Sequence, residues 1–339
     1  MMNSRAQTAP HGTFATMRQR LNIPHMISAS PSVTAHSWSI VDGNSGELLW
    51  GKNPTEVREI ASLTKIMTCL LTLKLCRKFG VDPDVQEVKV SVYASRIHGT
   101  SACLRPDDSL TIKDLLYGLM LPSGNDAALC LAEFFTKVMQ EEATKMTKNQ
   151  RARSQRALSG RPNSGAVVKD PMINYFVMEM NRYARELGLT DSAFVNPHGL
   201  SDKANRSTAS DIGRLAAIAM QNPTVQQVVN TESYTCAVGL ERELTWINTN
   251  KLLPVTGFNG MKTGTTTTAG PCLSASYEKN NVKIIITVLA CRSHEHRWSE
   301  VPKLAYWAEN LLGTMIKQFK DEKLPKLKVL AQLCNAVFQ

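Results

Sequence analysis

Residues 59–71 read EIASLTKIMTCLL: a serine, a lysine three positions on, and then an apolar run. Ser62 is either the cap of an ordinary buried helix or a nucleophile with Lys65 as its base. Three residues along a helix bring both side chains to one face, so the spacing allows the chemistry without proving it. A serine hydroxyl is a weak nucleophile until a neighbouring base takes its proton. A lysine is such a base only when burial or nearby cations depress its pKa. A working pair should therefore be joined by further polar groups from elsewhere in the chain.

Two further stretches supply them. Ser123-Gly124-Asn125 sits in PSGN, a sharp break between two helical patterns, and Lys262-Thr263-Gly264-Thr265 opens a β-rich segment. Either alone is ordinary: Pro, Ser, Gly and Asn are the residues of any turn. The order S-x-x-K, S-x-N, K-T-G on helix start, inter-helix turn and strand is specific, and it matches a motif set of serine β-lactamases and penicillin-binding proteins.

The surrounding pattern is α+β. HSWSIVDGNSGELLWGKN predicts a hairpin, and residues 62–78 a helix stopped by Gly80. Residues 87–93 alternate like a strand, and LTIKDLLYGLML predicts a helix with Thr111 and Asp114 in capping-box positions. Further helices follow over DAALCLAEFFTKVM, PMINYFVMEMNRYAREL and STASDIGRLAAIAMQN. From Met261 onward strands are expected, with a turn at Lys279-Asn280-Asn281, and RWSEVPKLAYWAENLLGTMIKQF closes as a helix. The order predicts an antiparallel sheet built from both chain ends around an inserted helical region.

The net charge of +10 over 339 residues invites a nucleic-acid reading until it is located. Three arginines in residues 1–41 and seven Lys or Arg in residues 143–169, with no acid in either segment, account for all of it. These are read as a disordered basic arm (1–35) and a disordered basic insert (143–169). They flank or interrupt a catalytic domain of residues 36–320, and residues 321–339 form a tail. No nucleic-acid partner or membrane contact is expected, and the basic segments leave room for a protein partner. The eight cysteines form no C-x-x-C pair and several lie in apolar runs, which reads as reduced thiols. Residues 1–26 lack the apolar core of a signal peptide, and no run of 18 apolar residues exists. An intracellular location, cytoplasm or organelle, is the expectation. His294 and His296 in SHEHR read as surface histidines, so no metal and no cofactor is expected.

IASLTKIMT, LTIKDLLYGLMLPSGNDAA, ELGLTDSAFVNPHGL and NGMKTGTTTTAGPCLSAS extend the motif set across residues 36–315, apart from the insert. Together they resemble the low-molecular-mass penicillin-binding proteins, the serine D-alanyl-D-alanine carboxypeptidases of the β-lactamase/transpeptidase-like superfamily. The resemblance implies that Ser62 attacks the penultimate D-alanine carbonyl of a peptide ending in D-Ala-D-Ala, with Lys65 as base. It implies proton relay by Ser123, and an Asn125 that holds Lys65 and the substrate amide. Lys262, Thr263 and Thr265 of the K-T-G strand, with Gly264 between them, would bind the terminal carboxylate. The N–H groups of Ser62 and Thr265 would form the oxyanion hole. β-Lactams are then covalent inhibitors. No glutamate stands in an obvious deacylating-water loop, which counts against a β-lactamase. The alternative is a repurposed homologue, acting as another peptidase or esterase or as a non-enzymatic subunit. Arg206 in NRSTASD stands where the family more often has an aromatic residue or histidine, which bears on substrate preference.

Overall fold

In the computed structural model, residues 29–145, 170–239 and 242–320 are described, side chains being described as far as residue 314. Most of the basic arm, residues 146–169 of the insert and the 321–339 tail lie outside them. The N-terminal hairpin forms as expected from β1 (Ser37–Asp42) and β2 (Leu48–Lys52). The Asp42 carboxylate accepts from the Asn44 and Ser45 amides and closes the turn. Attachment begins earlier than the expected domain start: Ala35 is fully buried, and the amides of Thr34 and Ala35 donate to Glu300.

The short β3 (Arg58–Glu59) leads into a 3-10 turn over Ala61–Leu63 and then α1 (Thr64–Phe79). Gly80 ends α1 in the left-handed conformation with φ 66°, a role glycine fills without steric cost. The strand expected over 87–93 is only half right. β4 covers Glu87–Lys89, whereas Val92–Ser95 is a single helical turn, α2. The reason is local: the Ser91 hydroxyl accepts from the Ala94 amide and caps that turn. β5 (Ser109–Thr111) follows, and Thr111 with Asp114 forms the expected capping box of α3 (Ile112–Met120).

Next come α4 (Asn125–Lys145), α5 (Asn174–Glu186), β6 (Arg206–Ser207), α6 (Ala209–Ala219) and α7 (Pro223–Val229). α4 runs through residues 143–145, so the first three residues of the expected disordered insert are helical. A hairpin of β7 (Ser233–Val238) and β8 (Arg242–Ile247) was not anticipated. The chain closes with β9 (Phe258–Thr266), β10 (Gly270–Lys279), β11 (Val282–Leu289) and α8 (His294–Lys320).

The main sheet has the order β2-β1-β11-β10-β9, antiparallel throughout, and so joins both chain ends as expected. Its central strand β11 is buried on both faces. Ile285 and Leu289 join the core of the helical region, while Ile284, Ile286 and Val288 join a second core under α8. Period-two geometry divides one continuous apolar run between two cores. α1, Met67 and Leu71 among its buried residues, runs through the helical core and points its N-terminus at the β9 edge.

Candidate active site

Ser62 lies in the 3-10 turn, one residue before Leu63, the N-cap of α1. No side chain caps this helix, so Ser62 is not the cap that the bland reading makes it. Its hydroxyl oxygen instead stands 3.0 Å from Lys65 Nζ. Ala61 just before it holds φ 49°, in the left-handed region that alanine seldom enters. The turn is held by packing: the Thr64 hydroxyl donates to the Ala61 carbonyl at 2.9 Å, and Asn205 donates to Thr64.

Lys65 is fully buried, and among the described residues its amino group meets only neutral hydrogen-bond partners. Nζ donates to Asn125 Oδ1 at 2.7 Å and to the His198 carbonyl at 2.6 Å. Burial, followed by the charge of Lys262, holds its pKa well below the usual lysine range, with Asp126 acting in the opposite sense. His198 is itself buried, and its imidazole is pushed down to about 3, first by burial and then by Lys65. The imidazole is neutral at physiological pH.

The PSGN break places Ser123 and Asn125 beside this pair. Ser123 adopts φ 67°, and its buried hydroxyl has no hydrogen-bond partner among the described residues. An unpaired buried hydroxyl carries a desolvation cost of about 1–3 kcal/mol, which a substrate proton or leaving amine would relieve. Asn125 donates from Nδ2 to the His98 carbonyl at 2.8 Å, fixing Oδ1 toward Lys65.

β9 supplies the third wall. A Cβ at Gly264 would stand 3.1 Å from the Ser62 nitrogen and 3.0 Å from the Ile60 oxygen, so any side chain there would push the strand and the Ser62 turn apart by a few tenths of an ångström. Lys262 is 1% exposed, and its Nζ donates to the Thr263 carbonyl at 3.2 Å. Burial, then Arg297, pushes it down to about 7. The three walls enclose a cavity of about 380 Å³ lined by Ser62, Ser123, Asn125, Thr263, Gly264 and Thr265, together with Gly99, Thr100, Gly199, Leu200, Thr249, Thr266 and Arg297.

A family model described as D-alanyl-D-alanine carboxypeptidase matches residues 25–154 and 172–293. The chain belongs to this family. Among its curated relatives are the D-alanyl-D-alanine carboxypeptidase DacF of Bacillus subtilis (strain 168), 28% identical over 87% of this chain and 67% of that protein, and DacC of Escherichia coli (strain K12), 30% identical over 84% and 64%. The D-alanyl-D-alanine carboxypeptidase of Streptomyces sp. (strain K15) is 32% identical over 83% of this chain and 89% of its own length. The chain thus spans about two thirds of the first two relatives and most of the third. The crystal structure of the Streptomyces K15 DD-transpeptidase superposes with a TM-score of 0.69 at 30% identity, covering 83% of this chain and 98% of that one.

As a member of the D-alanyl-D-alanine carboxypeptidase family, the chain brings its sequence-predicted site residues to one cleft: Ser62, Ser123, Asn125, Thr263, Gly264 and Thr265 line it, and Lys65 lies directly behind Ser62. Lys262 sits buried beneath Thr263. Arg206 is different. It pairs with Glu59 in the small β3–β6 sheet and is not among the lining residues, so it does not shape this cavity. Three contributors escaped the sequence reading. The His198 carbonyl belongs to the block ELGLTDSAFVNPHGL, to which no site role was attached, and Thr249, whose hydroxyl lies 2.9 Å from that of Thr263, follows the unanticipated hairpin. The third is Arg297, three residues past the His294 that drew attention. Its Nη1 donates to Thr265 Oγ1 at 3.1 Å and to the carbonyls of Gly264 and Cys272, each at 3.2 Å. The signal was an arginine in the first turn of the closing helix, where sheet and helix meet.

Proposed function

We propose that this protein is a serine-type D-Ala-D-Ala carboxypeptidase that removes a C-terminal D-alanine through an acyl-enzyme on Ser62 and is acylated there by β-lactams. The observation that carries the reading is the environment of Lys65. Its two shortest contacts are to acceptors, Asn125 Oδ1 and the His198 carbonyl, which together engage both hydrogens of a neutral amine. The nitrogen lone pair is then left for the Ser62 hydroxyl at 3.0 Å.

Neutral Lys65 takes the Ser62 proton as Oγ attacks the carbonyl carbon of the penultimate D-alanine. The developing oxyanion is placed toward the amides of Ser62 and Thr265, donors whose individual loss typically slows acyl transfer about 10² to 10³-fold. Ser123, unpaired and beside the cleft, carries a proton to the departing amine, and free D-alanine leaves. Water then attacks the ester, giving a shortened peptide and regenerating Ser62. The leaving residue's carboxylate is met by Lys262, Arg297 and the hydroxyls of Thr249, Thr263 and Thr265.

The test is incubation with a fluorescent penicillin, intact-mass measurement, and D-alanine release from a peptide ending in D-Ala-D-Ala. Covalent labelling that disappears in Ser62→Ala, together with D-alanine release, is expected. A wild-type protein that is never labelled would overturn the assignment.

A further inference from the structure

Asp126, next to Asn125 in the chain, is a buried carboxylic residue for which the mechanism has no role. It is 1% exposed, and no cationic side chain is hydrogen-bonded to it among the described residues. Its acceptors are instead filled by a loop that has no helix or strand of its own. Oδ2 accepts from the Ser101 hydroxyl at 2.6 Å and from the Leu104 amide at 3.2 Å. The Ala102 amide reaches Oδ1 at 2.8 Å and Oδ2 at 3.0 Å, and Oδ1 also accepts from the Ala127 amide at 2.9 Å.

The same loop is sewn to the site on its other side. The carbonyls of His98 and Thr100 accept from Asn125 Nδ2 and from the Asn125 amide, both at 2.8 Å. The Thr100 hydroxyl donates to the Ser123 carbonyl at 2.6 Å, and Trp246 Nε1 clamps the Ala102 carbonyl at 2.8 Å. Gly124 is hemmed in between: a Cβ there would lie 2.6 Å from Asp126 Oδ1 and 2.9 Å from Ala102 Cβ. Without the carboxylate, the loop amides lose their acceptors and the Ser123–Asn125 turn loses its backing.

We propose that Asp126 is a positioning residue for acylation: its carboxylate holds the 98–104 loop against the Ser123–Asn125 turn and sets a fixed negative charge beside Lys65. This rests on the acyl-enzyme reading of Ser62 given above. The groups facing Lys65 are Lys262 from β9, Asp126 from the start of α4 and His198 from the loop before β6, with Arg297 of α8 behind Lys262. Asp126 is the one that favours the charged amine. Removing its charge therefore makes Lys65 neutral at lower pH, while the loosened turn slows the step at every pH.

The experiment measures the second-order rate of labelling by a fluorescent penicillin from pH 5 to 9 for wild type, Asp126→Asn and Ser101→Ala, with thermal unfolding followed by circular dichroism. Asp126→Asn is expected to label about ten- to a hundredfold more slowly, with its acid limb displaced to lower pH. A uniformly slower profile with an unmoved limb, or an unchanged rate, overturns the proposal. Should Asp126→Asn not fold, Ser101→Ala decides. It keeps the charge and removes one loop anchor at an exposed residue, so labelling is expected to slow about three- to tenfold with the limb unmoved. A wild-type rate in Ser101→Ala overturns the loop-holding role. Wild-type labelling and its loss in Ser62→Ala, read in the same series, separate failure of this proposal from failure of the acyl-enzyme reading.

Discussion

The backbone of Gly199 lies directly against that of Ala61: a Cβ at Gly199 would stand 2.0 Å from the Ala61 carbonyl oxygen and 2.9 Å from the Ser62 nitrogen. This contact lets the 196–200 turn dock on the nucleophile's own turn. Docked there, the turn delivers the His198 carbonyl to Lys65 and the Pro197 carbonyl to Thr68, each at 2.6 Å. Gly199 also holds φ +87°, a conformation in which a side chain is strained whatever the space.

Gly199→Ala is therefore expected to cost about 1–3 kcal/mol in stability and at least about a hundredfold in penicillin acylation. Gly80→Ala is the matched control. Gly80 also has positive φ, but nothing lies within 4 Å of its Cβ position. It should cost about 1 kcal/mol and leave acylation unchanged. Denaturant melts and labelling rates on both variants make the comparison. Equal labelling of the two would refute the docking account.

Lys262, pushed down to about 7, links pH to both binding and stability. Below that pH it is protonated and attracts the substrate carboxylate; above it the attraction fades, while Lys65 must stay neutral to act. KM for a peptide ending in D-Ala-D-Ala should rise between pH 6 and 8. In Lys262→Arg, which stays charged, that rise should vanish. For stability, the unfolded lysine titrates near its ordinary 10.5, so between about 7 and that value the unfolded chain binds a proton the folded chain lacks. Stability from this residue accordingly increases with pH across the window. Lys262→Met should flatten the slope, as read by denaturant melts at pH 7 and 9; a steeper slope in the variant would contradict the assignment.

Arg297 braces the K-T-G strand and lines the cavity, so its loss should depend on the substrate's charge. Arg297→Leu is expected to lower kcat/KM about ten- to a hundredfold for carboxylate-bearing peptides. A neutral thioester that lacks the terminal carboxylate should be affected far less. Because Arg297 is the cation that depresses Lys262, the alkaline limb should also move to higher pH. Equal losses on both substrates would reduce Arg297 to a packing role.

Much of the fold was legible because its signals are local. Thr111 and Asp114 cap α3 through groups three residues apart, and Gly80 ends α1 through its own φ. The β7–β8 hairpin was legible in principle, since Tyr234, Cys236 and Val238 alternate before Gly239, and Trp246 lies beyond it. The alternation is short and is followed by the charged residues Glu241, Arg242 and Glu243, and Tyr234 gains its meaning from stacking on Tyr117 of α3, with Trp246 stacked on Tyr234 in turn. Val92–Ser95 misled for the converse reason: the alternation of EVKVSVY continues through it, but one serine hydroxyl at the right place outweighs the pattern.

The sequence alone determined the motif residues of the site, Ser62, Lys65, Ser123, Asn125 and Lys262 to Thr265, and a spacing that lets Ser62 and Lys65 share one face. What only the tertiary structure decided is why Lys65 is a base. Asn125 lies 60 residues from it in the chain and His198 133 residues away, and no local rule brings either to its amine. Burial, not residue type, lowers the pKa of both site lysines, and burial is a property of the packed chain. The same distinction holds for Ser62, whose position beside a helix start is written in the sequence. That it is left uncommitted as a cap, and turned toward Lys65, follows from how the Ala61–Leu63 turn is pressed between β9 and the Gly199 backbone.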